Sequence, residues 1–239
     1  HPHRVPAQLA QPLLDRPAVA AEAGYGAIEF WSWQGKDLDA LARAVAESGV
    51  VISGMVGTAG KLVDPALRDS LVEEVRESIS AAKRLDCKVL IATTGNEMPD
   101  VSRDEQHDSV VDGLKAVAPM LEDAGMTLVL EPLNVLVDHK GYYLSTSAEG
   151  FDIIKEVDSP AVRLLFDIYH QQITEGNVTA NMLANLEHIG HLHVADVPGR
   201  YEPGTGELNY ANIFKALIHA GYDRYAGLEF RPSGPSADV

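Results

Sequence analysis

Seven apolar runs recur along the chain, at residues 27–31, 50–57, 88–95, 127–134, 164–170, 191–198 and 225–231. Each reads as apolar on both faces, as a parallel strand covered by helices must. Between them lie stretches whose apolar residues fall three and four apart, the spacing of a helix that buries one face. Leu38, Leu41 and Val45 mark one such face; Leu67, Leu71, Val75 and Ile79 mark a second, with Asp64 as cap and Pro65 in the first turn. Val110, Leu114, Val117 and Leu121 repeat the pattern. Thr146 and Glu149 form a capping box ahead of Phe151, Ile154 and Val157. Met182, Leu186 and Ile189, then Ile213, Phe214 and Leu217, complete the series.

This strict βα order predicts an α/β protein, a (β/α)8 TIM barrel with one strand unread, as a single domain over residues 1–239. The ends are where the pattern fails. Residues 1–14 carry three prolines and read poorly as a first strand, although residues 15–24 look like the helix that follows one. After Glu229 the chain stops within ten residues, too soon for a final helix. The expectation is therefore a barrel whose first strand and last helix are irregular or missing, with an open doubly wound sheet as the alternative.

Charge narrows the function. With 35 acidic against 19 basic residues the formal net charge is −16, which repels a phosphate backbone and argues against nucleic-acid partners. No apolar run approaches the roughly 20 residues that span a bilayer. A single cysteine, Cys87, cannot make an internal disulfide; it reads as a buried small apolar residue in a cytoplasmic protein. Homo-oligomerisation is left open.

Four consecutive strands end in a residue able to bind a metal: Glu131, Asp167, His193 and Glu229. In a closed barrel the carboxyl ends of the strands converge on one mouth, so these four side chains can meet. Three carboxylates and one imidazole suit one divalent ion such as Mn²⁺, Mg²⁺ or Co²⁺ better than structural zinc. The alternative is that each acid caps a helix or pairs with a basic residue. The loop after His193 adds Asp196, Arg200 and Glu202 within a few residues.

The segments LEPLN, FDIYH, HLHVADVPGR, EPGTGELNY and GLEFRP resemble those of the hydroxypyruvate isomerase family, within the xylose-isomerase-like barrels that also include ketose 3-epimerases. The resemblance spans about residues 20–231, and VPGRxEPGTGE is its most specific part. It implies a TIM barrel and a divalent metal held by Glu131, Asp167, His193 and Glu229. In hydroxypyruvate isomerases the third ligand is commonly Gln, so His193 is more like the epimerase branch. His170 resembles the family's substrate-hydroxyl contact.

A metal chelated by a carbonyl and its neighbouring hydroxyl acidifies the C–H between them, and two flanking carboxylates can remove and return that proton. Glu131 and Glu229 are the pair placed for this catalytic work. Arg200 offers a fork of donors to a substrate carboxylate or, alternatively, pairs with Glu202; Glu202 either makes that pair or touches substrate. Trp31 and Trp33 form an apolar wall for the ligand or simply pack. Glu29 is unusual inside a barrel strand. His139 lines the pocket or lies exposed, and His107, His188, His191 and His219 read as structural. GTGE, residues 204–207, reads as a flexible loop over the mouth. The expected reaction, in carbohydrate metabolism, is the interconversion of hydroxypyruvate and tartronate semialdehyde. A ketose 3-epimerase, or a lyase or decarboxylase subunit acting on oxidised sugars or glycosides, is the alternative. An abasic-site endonuclease on the same barrel would need a zinc cluster and a basic surface.

Overall fold

The computed structural model describes residues 12–234. Seven strands lie side by side in sequence order, all parallel: β1 (Ala27–Phe30), β2 (Val51–Ala59), β3 (Val89–Thr93), β4 (Thr127–Leu130), β5 (Val162–Asp167), β6 (Ile189–Val194) and β7 (Ala226–Leu228). The helices between them are α1 (Arg16–Glu22), α2 (Leu38–Ser48), α3 (Arg68–Arg84), α4 (Arg103–Ala124), α5 (Ser147–Val157), α6 (Ile168–Thr174), α7 (Val178–Ala184) and α8 (Tyr210–His219). The sheet curls into a nearly closed barrel. Its two outer strands, β1 and β7, come within side-chain reach, because the Glu29 carboxylate lies against the backbone of Gly227.

The fold class is as the alternation predicts, and α1 falls within residues 15–24 where a helix is expected. Most of the proline-bearing opening, residues 1–11, lies outside the described residues, as do residues 235–239. Among the described residues no helix is long and apolar enough to cross a membrane.

Three local readings are corrected. The apolar run 164–170 is not one strand: β5 stops at Asp167, whose Oδ1 accepts from the backbone N–H of Tyr169 (2.8 Å) and His170 (3.2 Å) and so caps α6. Met182, Leu186 and Ile189 do not share a helix; α7 ends at Ala184, and Ile189 opens β6 by pairing with Leu164. Thr146 does cap α5, but Glu149 does not complete a box, because its carboxylate is taken by Arg103 and the Tyr143 hydroxyl. A full capping box forms instead at Ser102 and Glu105.

Two layers of apolar packing result. The large one lies between sheet and helices and includes Leu41, Leu71, Leu114, Phe151 and Leu217. A small separate one, Ile91, Val129 and Leu165 with Val56 and Val89, fills the barrel's lumen. Side chains two residues apart along a strand share a face. Glu131 therefore stands directly above Val129, and Asp167 above Leu165. The register pairs Leu165 with His191, Asp167 with His193 and His193 with Gly227. The lumen is thus dry at one level and charged at the next, toward the carboxyl ends of the strands.

Candidate active site

The four strand-end residues do meet. One ligand atom from each of Glu131, Asp167, His193 and Glu229 lies within 4.8 Å of the other three. His193 is central: its Nδ1 is 3.4 Å from Glu131 Oε1 and 3.3 Å from Glu229 Oε2. Glu131 Oε1 and His193 Nδ1 are nevertheless buried without a hydrogen-bond partner. Atoms this close yet not aligned with one another are what donors arranged around an ion require. With three carboxylates and one imidazole the set fits a hard divalent ion.

The electrostatics agree. Burial pushes the Glu131 carboxyl up to about 7; the charges on Glu229 and Asp167 add to this, and His193 offsets only part of it. Burial acts the same way on Glu229, but His193 and Arg200 outweigh it and hold that carboxyl well below the usual range. For His193, burial disfavours the cation, yet the carboxylates of Glu131, Glu229 and Glu29 gathered around the ring carry its pKa well above the ordinary value.

Around this cluster sits a set of donors. Asp167 spends Oδ1 on the cap of α6 and turns Oδ2 inward, 3.6 Å from His170 Nε2. The His170 ring is held neutral chiefly by burial. Its Nδ1 accepts from the Asn134 backbone N–H at 3.2 Å, so the ring proton is on Nε2, which has no other partner. His139 lies beside it, with ring centroids 5.3 Å apart. Asn134 is a residue the sequence reading missed. Its Oδ1 accepts from the backbone N–H groups of Val137 and Asp138, which folds the loop after β4 over the site.

Arg200 is in the site but not in the expected pair. Its Nη2 is 2.5 Å from Glu229 Oε2, Nε donates to the Glu229 carbonyl at 3.3 Å, and the guanidinium lies 5.1 Å from the centre of the Tyr169 ring. That leaves the Nη1 edge for a ligand. Glu202 points elsewhere: its Oε1 accepts from the Ser233 backbone N–H (2.8 Å) and hydroxyl (3.0 Å). The GTGE loop is not loose either. Asp196 accepts from the backbone N–H of Val197 and Leu208 through Oδ1 and of Gly204 through Oδ2, which clips both ends of the loop together.

Trp31 follows β1 at the rim and is 55% exposed, whereas Trp33 packs against the core and donates to Ser78 Oγ at 2.9 Å. His107 and His188 pair with Glu156 and Glu187 away from the cluster. His191 does not stay in the background: it lies in the lumen below His193 and meets Glu29. Both could have been suspected from sequence. His191 is two residues from His193 and so shares its face, and Glu29 is a lone carboxylate between Ile28 and Phe30.

Comparison with known proteins agrees with this architecture. The family model described as xylose isomerase-like TIM barrel matches residues 17–238, and the chain belongs to that family. It is 32% identical to a putative hydroxypyruvate isomerase of Streptomyces coelicolor over 95% of this chain and 88% of that one. It is 29% identical to hydroxypyruvate isomerase of Escherichia coli K12, over 89% and 85%. A crystal structure from Brucella melitensis, named AP endonuclease, family 2, superposes with a TM-score of 0.90 at 28% identity, covering 96% of this chain and 91% of that one.

Proposed function

We propose that this member of the xylose isomerase-like TIM barrel family is a metal-dependent isomerase of a small keto acid, interconverting hydroxypyruvate and tartronate semialdehyde. The observation that carries the reading is the convergence of Glu131, Asp167, His193 and Glu229, with Arg200 beside them. The isomerase class is that of the relatives. The keto-acid substrate is favoured by Arg200, whose remaining Nη1 edge offers a cation that a carboxylate calls for and a neutral ketose does not. The −16 charge speaks against a nucleic-acid substrate.

A divalent ion held by the four ligands would polarise the substrate carbonyl and offset the negative charge that develops on its oxygen. The chain's own residues supply the rest. Glu131 and Glu229 stand on either side of His193. One takes the proton from the hydroxymethyl carbon C3 and a proton is returned at C2, while the proton of the C3 hydroxyl passes to O2, so that C3 becomes the aldehyde and C2 carries the hydroxyl. His170, neutral and with its proton on Nε2, donates to a substrate oxygen. Nη1 of Arg200 binds the carboxylate, while Nη2 keeps Glu229 in place. Trp31 is assigned to the rim wall. Glu202 acts at one remove, by tying the loop that bears Arg200 to Ser233.

The test is turnover followed by NMR, with Mn²⁺-loaded protein offered hydroxypyruvate and a panel of ketoses. Formation of tartronate semialdehyde that stops on chelation supports the reading. Turnover of ketoses alone contradicts it.

A further inference from the structure

Directly under the four ligands, at the level where the lumen is otherwise lined by Ile91, Val129 and Leu165, lies a carboxylate. Glu29 Oε1 is 2.5 Å from His191 Nε2 and accepts from Ser53 Oγ at 3.2 Å; Oε2 is 3.2 Å from His193 Nε2. The neighbouring strands make room for it. A methyl group at Gly227 would sit 2.1 Å from Glu29 Oε2, and one at Gly54 would sit 3.0 Å from Oε1. A carboxylate drawn largely out of water is costly unless it is paired, so a slot shaped around one in an apolar lumen marks a task for it.

The task follows from the two nitrogens of His193. Nδ1 faces Glu131 and Glu229, and Nε2 faces Glu29. A carboxylate on the outer nitrogen of a ligating histidine fixes its tautomer and ring angle and raises its basicity. We propose that Glu29, seated on Gly54 and Gly227 and braced by His191 and Ser53, is a positioning residue that holds His193 by Nε2 and aims Nδ1 into the cluster above. This rests on the reading of that cluster as a metal centre. Glu29, His191 and His193 also gather closely enough to suggest a second ion. Glu29 Oε1 and His191 Nε2 are, however, only 2.5 Å apart. Two ligands of one ion, each about 2 Å from it, stand roughly 3 Å or more apart.

The experiment is titration of the metal-free protein with Mn²⁺ and Co²⁺, by calorimetry and by the visible spectrum of bound Co²⁺. Wild type is compared with Glu29→Ala, Glu29→Gln and Gly227→Ala. The wild type should bind one equivalent. Glu29→Ala should raise the Kd about 10- to 100-fold and shift the Co²⁺ spectrum. Glu29→Gln, whose amide oxygen can take the place of Oε2 opposite Nε2, should recover most of the affinity and the wild-type spectrum. Gly227→Ala, whose methyl would meet the Glu29 carboxylate and also lie 3.0 Å from His193 Cδ2, should weaken binding as well, and its retention of wild-type binding is the overturning result if Glu29→Ala does not fold. Wild-type affinity and spectrum in Glu29→Ala, or in Gly227→Ala in its place, overturn the proposal. So do two equivalents in the wild type that fall to one in Glu29→Ala, because Glu29 is then a ligand. A wild type that takes up no metal overturns the metal-centre reading itself, and this proposal with it.

Discussion

Arg200 Nη2 lies 2.5 Å from Glu229 Oε2, the same oxygen that stands 3.3 Å from His193 Nδ1. The arginine is thus fixed by the Glu229 carboxylate, and whatever binds its free edge is placed relative to the cluster. Arg200→Lys can keep the pair with Glu229 or meet a substrate carboxylate, but not both. The variant should lose about 1 to 3 kcal/mol in kcat/KM on hydroxypyruvate, mostly through KM. Steady-state kinetics equal to wild type would remove Arg200 from substrate recognition.

Metal binding should depend on pH in one direction. Glu131, pushed up to about 7, and His193, carried well above its ordinary value, both hold protons in the metal-free protein near neutrality. Both must lose them to ligate. Both folded pKa values are raised, so their contribution to the stability of the metal-free protein is present at low pH and is lost as the pH rises through them. Mn²⁺ affinity should therefore increase between about pH 6 and 8, with proton release detectable by calorimetry in buffers of different ionisation heat. Affinity that is flat over that range would contradict this.

Most of the fold was legible in the sequence because the lumen and the helix layer both demand apolar strands, and the βα spacing then orders them. Periodicity could not locate the end of β5, since Ile168 and Tyr169 continue an apolar run; the cap made by Asp167 decides it. The four residues of the cluster were legible as strand-end acids and a histidine. The surroundings were not, because they depend on side chains far apart in sequence. Arg200 lies two residues from Glu202, yet it reaches Glu229, while Glu202 reaches Ser233. Glu29 makes sense only once the curl of the sheet brings β1 within reach of the histidines of β6.

The loop that carries Arg200 hangs on Asp196. Removing its carboxylate leaves the N–H groups of Val197, Gly204 and Leu208 without their acceptor. Asp196→Ala should cost about 2 to 4 kcal/mol in denaturant unfolding, from several charge-assisted bonds lost together. An unchanged midpoint would show that water replaces the carboxylate at no cost.

Cys87 is buried, and burial pushes its thiol up to about 11. Little thiolate is present at pH 8, and the sulfur is out of reach. Iodoacetamide should leave the native protein unlabelled and modify one site on unfolding. Rapid labelling of the folded protein would contradict the packing of β3 on its neighbours.

The central claim is proton transfer between carbons by Glu131 and Glu229, and isomerisation in D₂O tests it most directly. Starting from hydroxypyruvate with Mn²⁺-loaded protein, the account predicts deuterium at C2 of tartronate semialdehyde, because a carboxylate exchanges its proton with solvent before returning it. Glu131→Gln and Glu229→Gln should each lower kcat by about 100-fold or more, since an amide can still offer an oxygen but cannot act as the base. Product that carries the original C3 hydrogen at C2, formed at near wild-type rate by either variant, would contradict the two-carboxylate account.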